Sequence, residues 1–151
     1  VIPELRIACA AFLIAVLVGD LSFDLPVLWA RDPATTASAL DAATRYYARV
    51  TARHSPLSLA VAVVMAVLVA IVTGDVASAR CSACSALVGV LALLPITLGL
   101  LRTFPRAKRL ATGEGDVALR VALARNIARE HLLALAAMTA YLGARIAGYG
   151  E

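Results

Sequence analysis

Four apolar runs, each closed at both ends by charged residues, leave this chain little freedom of fold. Arg53 to Asp75, Arg80 to Arg102 and Arg125 to Arg145 each enclose about the 20 residues that a helix needs to cross a ~30 Å hydrocarbon core. The first run, Arg6 to Arg31, is slightly longer, and tilt or a break at Pro26 absorbs the excess. In lipid every backbone polar group must be satisfied within the protein, so runs of this length fold as helices. Composition agrees, because the residues are 62% hydrophobic and only 16% charged, whereas soluble domains sit near about half apolar and about a quarter charged. The chain therefore reads as one all-α integral membrane domain over its 151 residues. The expected architecture is an antiparallel four-helix transmembrane bundle, with spans over about 5–29, 56–73, 79–102 and 122–146.

Between the first two spans lies a more polar segment that opens on Asp32 and Pro33. Asp32 suits an N-cap and Pro33 the first helical position, where a missing N–H costs nothing. Leu40, Ala43, Tyr46, Tyr47 and Val50 share one broad face flanked by Arg45, Arg49 and Arg53. That pattern predicts an amphipathic helix over about 34–53, lying at the membrane interface or joining the spans in water. Ser55-Pro56 restarts the helix. Gly74 and Asp75 read as a C-terminal stop followed by the N-cap of the next span. Pro95 predicts a kink, and Pro105 predicts the end of the third span ahead of a short basic loop.

The net charge of +4 comes from Arg and Lys gathered at the ends of apolar runs, without aromatics interleaved along a basic stripe. Membrane topology produces that distribution, and a nucleic-acid surface does not. The first and third connections hold most of the basic residues, which predicts both termini on the non-cytoplasmic side. No acidic ring or filter-like loop suggests a channel.

The last run breaks the apolar pattern. Arg125, Asn126, Arg129, Glu130 and His131 crowd its first half, and ionisable groups at membrane depth mark a candidate site. Asp20 and Asp24 lie one turn apart on one face of the first span. At 1.5 Å per residue Asp24 falls about 10 Å, and Asp20 about 16 Å, from the inner end of that span. His54 and Arg102 stand at the inner mouths of the second and third spans. The expected cluster thus has Asp20, Asp24 and His131 for acid–base or hydrogen-bond chemistry, with His54, Arg102, Asn126, Arg129 and Glu130 as ligand-binding groups. An Asp24–Arg129 ion pair is expected at matching depth. No metal site is expected, because Glu130 and His131 diverge by about 100° on a helix instead of sharing a face. Cys81 and Cys84 form a Cys-x-x-Cys at the outer end of the third span, a candidate redox pair, with Cys9 at similar depth.

Pro105-Arg106-Ala107-Lys108-Arg109-Leu110, followed by His131 at the opening of the last helix, resembles the C-terminal half of the anthrone-oxygenase-like family of small four-helix membrane proteins. Ala107 stands at that family's Asn, and Ala134 where it carries Arg. The resemblance implies oxidation of a lipophilic aromatic or quinone-like molecule with His131 near the site, and it names no cofactor. Two functions remain open at this stage. One is binding or transforming a lipophilic small molecule at the polar cluster. The other is a non-catalytic subunit or assembly factor with membrane-protein partners in the bilayer.

Overall fold

A computed structural model describes residues 2–52, 55–78 and 83–149, with the backbone alone for Ile2, Val76, Ser78, Ala83 and Cys84. Every element among these residues is helical: α1 (Ile2–Trp29), α2 (Pro33–Val50), α3 (Pro56–Ser78), α4 (Ala83–Leu98), a π-helical turn (Gly99–Thr103), α5 (Phe104–Ala111) and α6 (Val117–Ile146). Three stretches are long and apolar enough to cross a membrane: Pro3–Trp29, Pro56–Asp75 and Ser85–Ala111. α6 packs on α1 and α4, and α3 packs on the same two helices. α2 lies against α1, α5 and α6.

The chain ends its helices where local chemistry allows. Asp32 caps α2 by accepting a hydrogen bond from the Thr35 N–H (2.9 Å), with Pro33 in the first turn, as the sequence predicts. Asp116 caps α6 in the same way through the Leu119 N–H (2.7 Å). α5 closes on Gly113, whose φ of 71° is open to glycine, with Gly113 N–H donating to Leu110 and Glu114 N–H to Arg109.

Two expected breaks are absent, and each has a physical reason. Pro105 does not stop the third span. The π turn just before it lets the Phe104 N–H reach Gly99 O, and Pro105 then falls in the first turn of α5, where its missing N–H is free. The helical rod therefore continues to Ala111. Gly74 and Asp75 do not divide two spans either, since α3 runs through both to Ser78. A mid-helix Gly costs only about 1 kcal/mol, and Asp75 is held by arginines from two other helices: Arg6 donates to Oδ1 and Arg145 to Oδ2 (3.1 Å). That clasp joins α1, α3 and α6 at one end of the molecule. Arg145 also lies over the Tyr141 ring, 5.5 Å from its centroid.

Helix α1 passes through Pro26 and ends at Trp29. It has no basic residue in its last turn, so α6 supplies one. Arg125 donates through Nε to Val27 O (3.3 Å) and through Nη2 to Ala30 O (3.2 Å), satisfying carbonyls that a helix end leaves open.

Two apolar cores result. One is built from Cys9, Ala10, Leu13, Leu68, Val72, Val88, Ala92, Ile96, Met138 and Tyr141, from α1, α3, α4 and α6. The other gathers Val27, Ala39, Leu40, Ala43, Tyr47, Ala107, Leu110, Ala124 and Ile127, from α1, α2, α5 and α6. The buried polar residues Asp24, Thr103, Glu130 and His131 occupy the layer between them.

Candidate functional site

Helix α6 crosses this layer with adjacent residues turned to different sides, because one helical step is about 100°. His131 faces α1. Its Nδ1 donates to Asp24 Oδ2 (2.7 Å), and the other Asp24 oxygen accepts from the Tyr47 hydroxyl (2.7 Å). Asp24 is 0% exposed, and burial of this carboxylate is tolerable because both oxygens are bonded. Asp20, one turn earlier on α1, accepts from the Tyr46 hydroxyl, and its Oδ2 stands 3.8 Å from His131 Nε2. Tyr46 also stacks on Phe23, with centroids 4.2 Å apart. Burial first, and then the adjoining carboxylates, hold both phenols well above their ordinary pKa. Both tyrosines therefore remain hydrogen-bond donors.

Glu130 faces the other way, toward the π turn. It accepts from the Thr103 hydroxyl (3.0 Å) and pairs with Arg106. The Pro105 region is thereby strapped to α6 by a permanently charged guanidinium.

An apolar cavity of about 120 Å³ lies among α1, α3, α4 and α6, with Asp20, His131 and Thr103 as its polar wall. Sites for drug-sized ligands run from about 300 Å³ upward, so a quinone-sized guest exceeds this space.

Of the residues expected at the site, the structure brings Asp20, Asp24 and His131 together and sends Glu130 to its own cluster. The Asp24–Arg129 ion pair is not formed, because His131 and Tyr47 already take both Asp24 oxygens. Arg129 is instead exposed beside Arg125, in a depression shared with Trp29 and Arg31. Arg102 is exposed on the π turn, and Arg106, one turn later, reaches the acid in its place. Asn126 is half-buried and joins neither cluster. His54 and Cys81 lie outside the described residues, as does the Cys84 side chain, while Cys9 is a buried free thiol. No group of three metal-ligating side chains occurs among the described residues.

Sequence reasoning missed Tyr46, Tyr47, Thr103 and Arg106. The tyrosines carried a readable signal, since two adjacent phenols on the apolar face of an amphipathic helix need buried acceptors. Thr103 and Arg106 carried none, because their placement depends on the π turn.

Comparison with known proteins adds one finding. No curated protein and no solved structure matches the chain. A family model does match, over residues 3–83, which takes in α1, α2 and α3 with Asp20, Asp24, Tyr46 and Tyr47. That stretch does not overlap Thr103–Gly143, where the anthrone-oxygenase resemblance rests. The match extends over more than half of the chain, and this integral membrane protein belongs to the SHR3 chaperone family, described as ER membrane protein SH3.

Proposed function

We propose that this protein is a non-catalytic chaperone or assembly factor of the endoplasmic reticulum membrane, whose partners are other membrane proteins. The family match carries this reading. The surface is consistent with it. α3 is the most apolar span, yet only 11% of its most apolar window is buried within the chain. Leu59 and Val63 on α3, with Leu87 and Val90 on α4, are exposed large apolar side chains that a partner's transmembrane segment or lipid can cover. Association in the bilayer is driven by van der Waals fit and interhelical polar contacts. A helper of this kind offers its clients an apolar exterior.

In the same reading α6 is the fourth span of an antiparallel bundle and α2 is the interfacial helix. The basic connections face the cytosol and both termini face the lumen. The polar layer is then structural, and it lets α6 cross with Glu130 and His131 neutralised by partners.

A second reading has Asp20, Asp24 and His131 binding or transforming a lipophilic aromatic or quinone-like molecule. The cavity beside Asp20 and His131 favours it, and the cavity's volume weighs against it.

The deciding experiment removes the protein from its native cell and measures which multispanning membrane proteins become aggregated or retained in the endoplasmic reticulum. The chaperone reading expects a defined set to do so and to recover on re-expression of wild type. Re-expression of Asp20→Asn or His131→Gln also restores them if the cluster is structural. No change in any membrane protein's solubility or location overturns the reading.

A further inference from the structure

His131 is 7% exposed, and the donor–acceptor balance on its two sides is unequal. Nδ1 is committed to Asp24. Nε2 borders the cavity with no hydrogen bond, because Asp20 Oδ2 is 3.8 Å away, beyond hydrogen-bond reach. With Asp20 ionised, a neutral imidazole leaves two acceptors, Nε2 and Oδ2, facing each other with no donor between them. With both carboxylates ionised, a protonated one still leaves Asp20, Asp24 and His131 with a net negative charge, and no Arg or Lys lines the cavity. The other nearby acid, Glu130, already pairs with Arg106. A net charge buried among helices costs several kcal/mol unless a counter-charge reaches it.

The rest of the cavity wall defines the missing group. Leu13, Val16, Leu17, Met65, Ile96 and Met138 are apolar, so a bare metal ion would lack the oxygen ligands it requires. An apolar cavity of about 150 Å³ accommodates a benzene ring; the 120 Å³ here suits a guest of about five non-hydrogen atoms. We propose that the cavity is a binding site for a primary alkylammonium group, whose N–H bonds bridge Asp20 Oδ2, His131 Nε2 and the Thr103 hydroxyl while its short chain lies along the apolar wall. Such a group arrives either as a free amine or as the lysine side chain of another transmembrane segment. The site stands on its own chemistry, whether or not the protein is a chaperone.

The test uses the full chain in detergent micelles or nanodiscs, titrated with methyl-, butyl- and octylammonium and with 1-butanol. Binding is read by the histidine ¹⁵N shifts and by Tm. Butylammonium should shift Nε2 saturably and raise Tm, and octylammonium, whose chain outruns the cavity, should bind no more tightly. 1-Butanol should bind about tenfold or more weakly, because it lacks the charge-assisted hydrogen bond. Asp20→Asn should weaken butylammonium binding by a similar factor. In case that variant fails to fold, Gly99→Ala provides a second route. Gly99 lines the cavity, and a Cβ there meets only Met65 Cε at 3.9 Å, so the added methyl takes cavity space without a clash. It should weaken butylammonium more than methylammonium. A folded protein with no saturable response to any ammonium ion overturns the proposal, as does equal binding of 1-butanol. A transmembrane peptide carrying one lysine at mid-depth, compared with its methionine version, identifies the source. Competition by the lysine peptide alone assigns the site to a partner's side chain, and absence of competition assigns it to free amines.

Discussion

Glu130 and His131 are sequence neighbours, 9% and 7% exposed, yet their surroundings differ in kind. Glu130 meets a guanidinium that is charged at every usable pH and the Thr103 hydroxyl at 3.0 Å. The result is a closed contact between α6 and the π turn. His131 meets two carboxylates, each supported by a tyrosine from α2, and keeps one ring nitrogen on the cavity. One face of α6 is therefore a fastening, and the other keeps a ring nitrogen on the cavity. A single helical step, about 100°, separates them. Burial of an ionisable group on a helix thus does not by itself mark function, and the balance of donors and acceptors around each group distinguishes the two cases.

The largest effect is expected at Asp24. Asp24→Leu leaves the Tyr47 hydroxyl and His131 Nδ1 buried without partners, and should cost about 3–5 kcal/mol, the penalty for breaking a buried charged pair. Thermal unfolding in detergent, checked by helical circular dichroism, measures it; a loss under 1 kcal/mol would mean that His131 and Tyr47 find other partners. The Glu130 side should respond differently. Glu130→Leu and Arg106→Leu should each cost about 1–3 kcal/mol, and the double variant should cost less than the two losses added together, since each single variant strands a charge. Strict additivity would show that the strap contributes no coupling.

The tyrosines sharpen the contrast further. Tyr47→Phe removes one hydrogen bond to a buried carboxylate and should cost about 1.5–3 kcal/mol. Tyr46→Phe should cost less, because Tyr46 is only half-buried and keeps its ring stack on Phe23. Their raised pKa values also fix a sign. An unfolded tyrosine ionises near about pH 10, whereas in the fold both phenols stay protonated above that pH. Stability from these groups is then complete below about pH 10 and is lost as pH rises beyond it. Unfolding midpoints measured between pH 8 and 11 should fall at the alkaline end, and the fall should be shallower in Tyr47→Phe. The smallest effect should come from Asp32→Ala, which removes an exposed helix cap for about 1 kcal/mol and leaves the histidine ¹⁵N spectrum unchanged.

Length and hydropathy made most of the helices legible, because crossing lipid demands runs of about 20 apolar residues and self-satisfied backbone. The Asp20–Asp24 face and His131 were legible for the same reason, since ionisable groups in such runs are costly and conspicuous. Caps were legible where one side chain decides them, as at Asp32. The rest depended on contacts between residues far apart in the chain. Whether Pro105 ends a helix was decided by a π turn, which local sequence does not announce. Asp75 serves as a clasp and not as a cap because Arg6 and Arg145 converge on it from positions about 70 residues away. Asp24 selects His131 over Arg129 because the rotation of α6 against α1 places one within reach and turns the other outward. Sequence alone determined most of the helical segments and marked Asp20, Asp24, Glu130 and His131 as residues that need partners. The tertiary structure decided which partner each one has, because pairing depends on helix rotation and register, and those are set by packing.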